Sequence, residues 1–295
     1  MHRIHTLSLI AAIAATPLAL AAQDDVGPSA VFTWSGRIAS GGTLELKHFN
    51  GPIEVREGTS DQAEFRAERR SRRSNSLTFE VDTAGRGVTI CAVWRGHSAC
   101  DRGRGWDWDD GPPSSRVTLT LPKGVKLDAS TGNGDVTVDK ASNDVDISSG
   151  NGDIRVTMTA GRVNVSTGNG VLEILGATGP VHASTGNGRV NVETSTGPVE
   201  VSTGNGDIDV RMNAISNTSD MTYSTGNGSI SVALPGNFNG EVDANTGNGE
   251  FRSDFAIQVV GRLNPHHVRG TIGTGGGQLI RMNTGSGRLE LRKSS

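Results

Sequence analysis

Apolar residues recur every nine positions through the middle of the chain: Val136, Val145, Ile154, Val163, Leu172, Val181, Val190, Val199 and Ile208. A second series runs two residues behind, from Val138, Ile147, Val156, Val165 and Ile174 through Ala183, Val192, Val201 and Val210. Between them every position is polar: Thr137, Asp146, Arg155, Asn164, Glu173, His182, Asn191, Glu200 and Asp209. In–out–in alternation is the period of a strand, whose successive side chains point to opposite faces. Two residues before each first apolar position stands Gly134, Asn143, Gly152, Gly161, Gly170, Gly179, Gly188, Gly197 or Gly206. Glycine tolerates positive φ, and Asn does so at modest cost, so the pattern predicts a left-handed residue at every corner. A further glycine comes only every 18 residues, at Gly132, Gly150, Gly168, Gly186 and Gly204. One coil is therefore 18 residues, made of two nine-residue halves with unlike corners.

A hairpin array does not readily hold a constant phase with identical corners. The predicted fold class is all-β: a single-stranded parallel β-solenoid (β-helix) of 18-residue coils, with irregular N-terminal coils. Parallel stacking sets equivalent residues about 4.8 Å apart and buries the Val and Ile rows. Later the phase loosens, with Thr225-Gly226-Asn227-Gly228, Thr246-Gly247-Asn248-Gly249 and Thr284-Gly285-Ser286-Gly287 at spacings of 22, 21 and 38. Short loops inserted at corners account for the first two spacings, and two coils for the last. Upstream, Phe49-Asn50-Gly51-Pro52-Ile53-Glu54-Val55 reads as one degenerate early unit. The expected organisation is a signal peptide over 1–22, an irregular capping part with a disulfide-closed loop over 23–115, and regular repeats over 116–295.

Composition agrees with a thin core. Aromatics are 4% of the chain while Gly is 41 of 295 residues, so Val, Ile and Leu must fill the interior. Residues 1–22 read as a secretory signal: Arg3, an apolar stretch from Leu7 to Ala15, then Ala19-Leu20-Ala21 as a small-residue cleavage site. The apolar stretch is too short for a membrane span, and no later segment approaches the roughly 18 apolar residues one needs. Removal of the signal leaves 27 basic residues against 31 acidic ones, a balance that excludes a general nucleic-acid binder. An exported chain, periplasmic, at the cell surface or extracellular, is the expectation. Cys91 and Cys100 are the only cysteines. In such a compartment they are predicted to pair as a disulfide closing a short loop.

The corners and four other segments resemble the bacterial putative-adhesin family. Besides Thr-Gly-Asn-Gly-Asp-Ile/Val, these are Trp34-Ser35-Gly36-Arg37 with Gly42-Thr43-Leu44-Glu45-Leu46, Thr89-Ile90-Cys91-Ala92-Val93, Leu121-Pro122-Lys123-Gly124-Val125-Lys126-Leu127, and the glycine-rich run from Gly270 to Gly277. The similarity spans roughly residues 31–293. It implies an extracytoplasmic β-solenoid and transfers little about mechanism.

Catalytic chemistry finds no foothold in the sequence. Asp135, Asp153 and Asp207 follow the second corner glycine one position too early for a calcium-binding β-roll, and sister coils put Val171, Arg189 and Ser229 there. The Asn133, Asn151, Asn169, Asn187 and Asn205 series is expected to form a structural amide ladder. Outward rows that mix Arg, Glu, Asp, His and Asn are expected to leave no flat hydroxyl face. Arg155 and Glu173 read as a solvated ion pair between neighbouring coils, and His266-His267 has no evident third metal ligand. Arg69-Arg70-Ser71-Arg72-Arg73 is the densest charge run: a solvated edge, or a contact for an anionic envelope polymer. No cofactor, no metal and no catalytic residue is expected.

One segment breaks the repeat. Residues 91–113 hold Trp94, Arg102, Arg104, Trp106, Trp108 and Asp109 beside the cysteines. Rings flanked by carboxylates and guanidinium groups suit stacking and hydrogen bonding with an envelope glycan or a protein partner. They also suit a cap over the weak end of the solenoid, which is the blander reading. The functional expectation is a non-enzymatic surface or periplasmic binding and scaffolding protein. The alternatives are an accessory domain of an envelope-stress or signalling system and a carbohydrate-active enzyme.

Overall fold

The computed structural model describes residues 31–69, 76–83, 85–100, 113–215, 219–259, 264 and 266–294, so the segment read as a signal peptide lies outside the described residues. Two long sheets, of 12 and 14 strands, face each other across one apolar core. Their central strands are parallel and in register at one coil per step. On one sheet Val136 pairs with Ile154, Ile154 with Leu172, Leu172 with Val190 and Val190 with Ile208. On the other Val145 pairs with Val163, Val163 with Val181 and Val181 with Val199. These side chains are fully buried, each contributing about 1.5–3 kcal/mol of apolar burial. The predicted parallel β-solenoid is the observed fold.

The corners differ from expectation in one half of each coil. Gly134, Gly152, Gly170, Gly188 and Gly206 do take positive φ, from 150° to 156°. At the other corner the left-handed residues are Lys140, Met158 and Gly176, with φ of 65°, 48° and 70°, rather than Asn143, Gly161 and Gly179. Glycine is needed at 161, 179 and 197 for a different reason. A Cβ there would run into the backbone of the coil beneath, at Asn143, Gly161 and Gly179 respectively.

Spatial order departs from chain order at both ends. The strands Thr43–Asn50 and Ile53–Glu57 form a coil that packs directly on Lys126–Asn133 and Val136–Ala141. The later strands Val88–Trp94 and Ser115–Leu121 sit on its outer side. At the opposite end Leu279–Ser286 lies between Met221–Asn227 and Gly240–Asn248, and Leu289–Ser294 between Ile230–Pro235 and Phe251–Ser253. The chain thus leaves one coil position empty, builds the next, and returns to fill the gap. The 38-residue spacing is therefore not two stacked coils. It holds the strands Ile257–Val259 and His267–Ile272, which run antiparallel along the sheet edge.

Antiparallel strands also cover the other end: Val31–Arg37 and Gln62–Arg69 on one sheet, Leu77–Asp82 on the other. These strands break the parallel stack, and the exposed charges on Gln62–Arg69 and Leu77–Asp82 discourage further pairing. Phe32, Phe65 and Phe79 cluster beneath them, with ring centroids 5.1–6.0 Å apart. Large rings thus fill the end coils, where the Val and Ile rows stop.

Candidate functional site

Three places on this scaffold hold groups that can do more than pack. The first is the Cys91–Cys100 disulfide, with Cα atoms 5.7 Å apart. Val88–Trp94 reverses through Arg95 and Gly96, both at positive φ, into His97–Ser98. That turn brings the Ala99 amide to the Ala92 carbonyl at 2.7 Å. Trp94 is a core residue, 4% exposed, with the Arg95 guanidinium 4.4 Å over its ring. Arg102, Arg104, Trp106, Trp108 and Asp109 lie outside the described residues, as do Arg70, Arg72 and Arg73. Beside the disulfide is a cavity of about 500 Å³ whose lining includes Glu80, Asp82, Thr89 and Ser98.

The second is the set of outward rows. Asn133 donates its amide to the Asn50 Oδ1 at 2.7 Å, and Asn151, Asn169, Asn187, Asn205 and Asn227 each donate to the preceding member at 2.7–2.9 Å. This is the expected structural ladder. Asp135, Asp153 and Asp207 accept backbone amides of the next coil, from Asp153, Val171 and Ser229, at 2.7–2.9 Å. Their carboxylates are therefore spent on turns. Arg155 and Glu173 form the expected ion pair between neighbouring coils. Buried hydroxyls of Thr167, Thr185, Thr203 and Thr225 donate to the carbonyls of Gly152, Gly170, Gly188 and Gly206 at 3.0–3.2 Å, satisfying the acceptors of the left-handed corners.

One outward row is uniform where its neighbours are mixed. Ser130, Ser148, Ser166, Ser184, Ser202 and Ser224 are stacked partners on a single sheet. The expectation concerns a flat hydroxyl face, and this row occupies only the position before each buried Thr or Ser. It remains one row, flanked by the charged row of Asp146, His182 and Glu200.

The third place lies where the spacing stretches to 22 and 21. Asn213, Ala214, Ile215, Pro235, Asn237, Phe238, Asn239 and Gln278 line a cavity of about 340 Å³. The phase break was the signal for it; the sequence reading treated it only as loop insertion.

Two histidines meet oxygen partners. His48 is buried, its Nε2 3.1 Å from the Ser115 carbonyl and 3.3 Å from the Ser115 hydroxyl. A carbonyl only accepts, so Nε2 carries the proton and donates. Burial pushes the imidazole down to about 4, and Ser115 is fully buried. The pair is a neutral core hydrogen bond without access for a substrate. It went unnoticed because His48 occupies the position that Thr131 fills in the next coil. His267 meets Asp243 at 3.0 Å, and among the described residues no cluster of three or more His, Cys, Asp or Glu side chains forms.

The family profile described as Toastrack DUF4097 matches residues 43–292. Among solved structures, a putative cell adhesion protein from Clostridium sporogenes is 9% identical, covering 90% of this chain and 100% of that one, with a TM-score of 0.30. A putative adhesin from Bacteroides fragilis is 11% identical over 90% and 99% of the two chains, with a TM-score of 0.37. One from Parabacteroides distasonis is 12% identical over 90% and 98%, with a TM-score of 0.39. No curated protein matches the chain.

Proposed function

The chain belongs to the Toastrack DUF4097 family, and from that premise we propose that it is a non-enzymatic β-solenoid acting outside the cytosol as a binding and scaffolding protein, in the manner of an adhesin. The observation that carries this reading is the pair of repeated rows, six stacked serines beside a continuous Asn ladder. Buried Val, Ile and Thr fix the backbone beneath them. A surface that presents one motif at every coil suits repeated weak contacts with a repetitive partner such as an envelope glycan or a protein array. Export is supported by the signal-like residues 1–22 and by the Cys91–Cys100 disulfide. The Trp-rich segment around Trp106 and Trp108 is the proposed additional contact.

An array of glycans and envelope components, probed with the purified chain lacking residues 1–22, tests the reading. Saturable retention on at least one component is expected. Retention on none of them overturns it.

A further inference from the structure

We infer that the cavity between the two stretched corners is a binding site for one neutral sugar unit. The assignment deepens the binding reading above and rests on it. The place itself is where the repeat is interrupted: residues 213–215 and 236–239 lie off the paired strands, and extra residues in a solenoid gather on loops that carry binding.

The lining has a definite chemistry. Three carboxamide-bearing Asn residues and one Gln stand beside Ile215, Pro235 and Phe238, and none of the eight lining residues is charged. An ion entering such a site would give up hydration with no countercharge to replace it, so the cavity selects uncharged ligands. A volume of about 340 Å³ lies at the lower end of ligand-sized cavities and accommodates one pyranose ring.

One side chain in the lining is incomplete without a ligand. Gln278 is 6% exposed, and its Nε2 is buried with no hydrogen-bond partner. A buried amide donor left unpaired costs about 1–3 kcal/mol. That atom is not exposed to the cavity, so a sugar hydroxyl supplies the missing acceptor only once the Gln278 side chain turns toward it.

The walls are held before any ligand arrives. Asn239 Oδ1 accepts from the Thr274 amide at 2.6 Å and the Gly275 amide at 3.2 Å, while its Nδ2 donates to the Gly275 carbonyl at 2.9 Å. This fastens the glycine-rich loop that leads into Gln278. The Gln278 carbonyl accepts from the Glu241 amide at 3.0 Å. Phe238 packs edge-on against Phe255 at 6.2 Å. On the opposite wall the amides of Asn213 and Ala214 donate to the carbonyls of Thr194 and Ser195 at 3.1 and 2.9 Å. Asn213 and Asn237 are exposed, and among the described residues their side chains have no hydrogen-bond partner, so their carboxamides can meet ring hydroxyls. A rigid, uncharged wall of donors and acceptors with an apolar side loses little entropy on binding a small polyol.

The test is ligand-observed NMR with D-glucose, D-galactose, D-mannose and N-acetyl-D-glucosamine against the chain lacking residues 1–22. At least one of the four should show saturable contact. Ala214→Trp, at an exposed position, should fill the cavity and abolish that signal with the melting temperature retained. Gln278→Leu keeps the volume and removes the donor, and should weaken binding at least tenfold. Sugar binding that survives Ala214→Trp unchanged overturns the assignment of the site. Binding confined to charged sugars or to carboxamide-bearing peptides overturns the ligand class. If no sugar binds while the array retains the protein on another component, the cavity assignment falls and the broader reading stands.

Discussion

Arg288 donates its backbone amide to the Ser229 hydroxyl at 3.3 Å, although 59 residues separate them in the chain. The contact exists because the last coil is inserted inside the stack. Leu279–Ser286 pairs on both sides, with Met221–Asn227 and with Gly240–Asn248. In a solenoid whose coils follow one another, loss of the last coil removes one interface. Here it removes two and leaves a gap between strands.

Deleting residues 279–295 should therefore abolish cooperative unfolding of the C-terminal third and expose paired edges that aggregate. Native-state hydrogen exchange gives the same answer without a deletion. The amides of Leu289 and Leu291 should be protected as strongly as those of Val190 and Val192. Fast exchange, as at a fraying terminus, contradicts the inserted coil.

The corners make a paired prediction. Gly170 has a φ of 156°, and a Cβ there would strike the Gly152 carbonyl. Gly170→Val should cost at least about 2 kcal/mol. Met158 is the reverse case: it is 58% exposed, with a φ of 48° at the position Gly176 fills one coil later. Met158→Gly relieves a left-handed residue and should stabilise by up to about 1 kcal/mol. Urea unfolding of both variants checks the signs, and an unchanged midpoint for Gly170→Val counts against the corner geometry.

The rows were legible because two periods coincide, alternation by two and repetition by nine. Val136 through Ile208 admit no helix and only one stacking. The corners were half legible. Glycine serves both positive φ and close backbone approach, and the letter at 161 or 179 does not say which. Insertion of the last coil left almost no mark, since Ser286 replaces an Asn and nothing in the sequence orders the coils in space. The cavity was hinted at by the broken phase, but its chemistry depends on Gln278 arriving from a loop far along the chain.

Acid should destabilise the protein in a definite window. Burial lowers the His48 imidazole from 6.5 to about 4. Between those values the unfolded chain binds the extra proton and the folded one does not. The contribution of neutral His48 is thus complete above about pH 6.5 and is lost as pH falls through about 4, roughly 3 kcal/mol in all. Asp144, held low by the Arg162 amide, and Glu290, held low by Arg292, add their losses only below the ordinary carboxylate range. His48→Thr should flatten stability between pH 6.5 and 4. A flat profile for the unaltered protein would contradict the buried neutral imidazole.

For the segment beyond the disulfide, Trp106→Ala combined with Trp108→Ala should retain the melting temperature and reduce retention on the array. Lost stability with unaltered retention would assign those rings to a cap instead. Reduction of Cys91–Cys100 should cost slightly less than about 3 kcal/mol by loop entropy, and thiol titration of the unreduced, denatured protein should find no free thiol.

The solenoid proposed above binds without transforming what it binds. The most direct measurement is to hold the protein with the component it retains, recover that component, and determine its mass and chain length. Saturable binding is expected, with the component recovered unaltered after prolonged incubation. Shortened or modified material, formed in proportion to protein concentration, would contradict it.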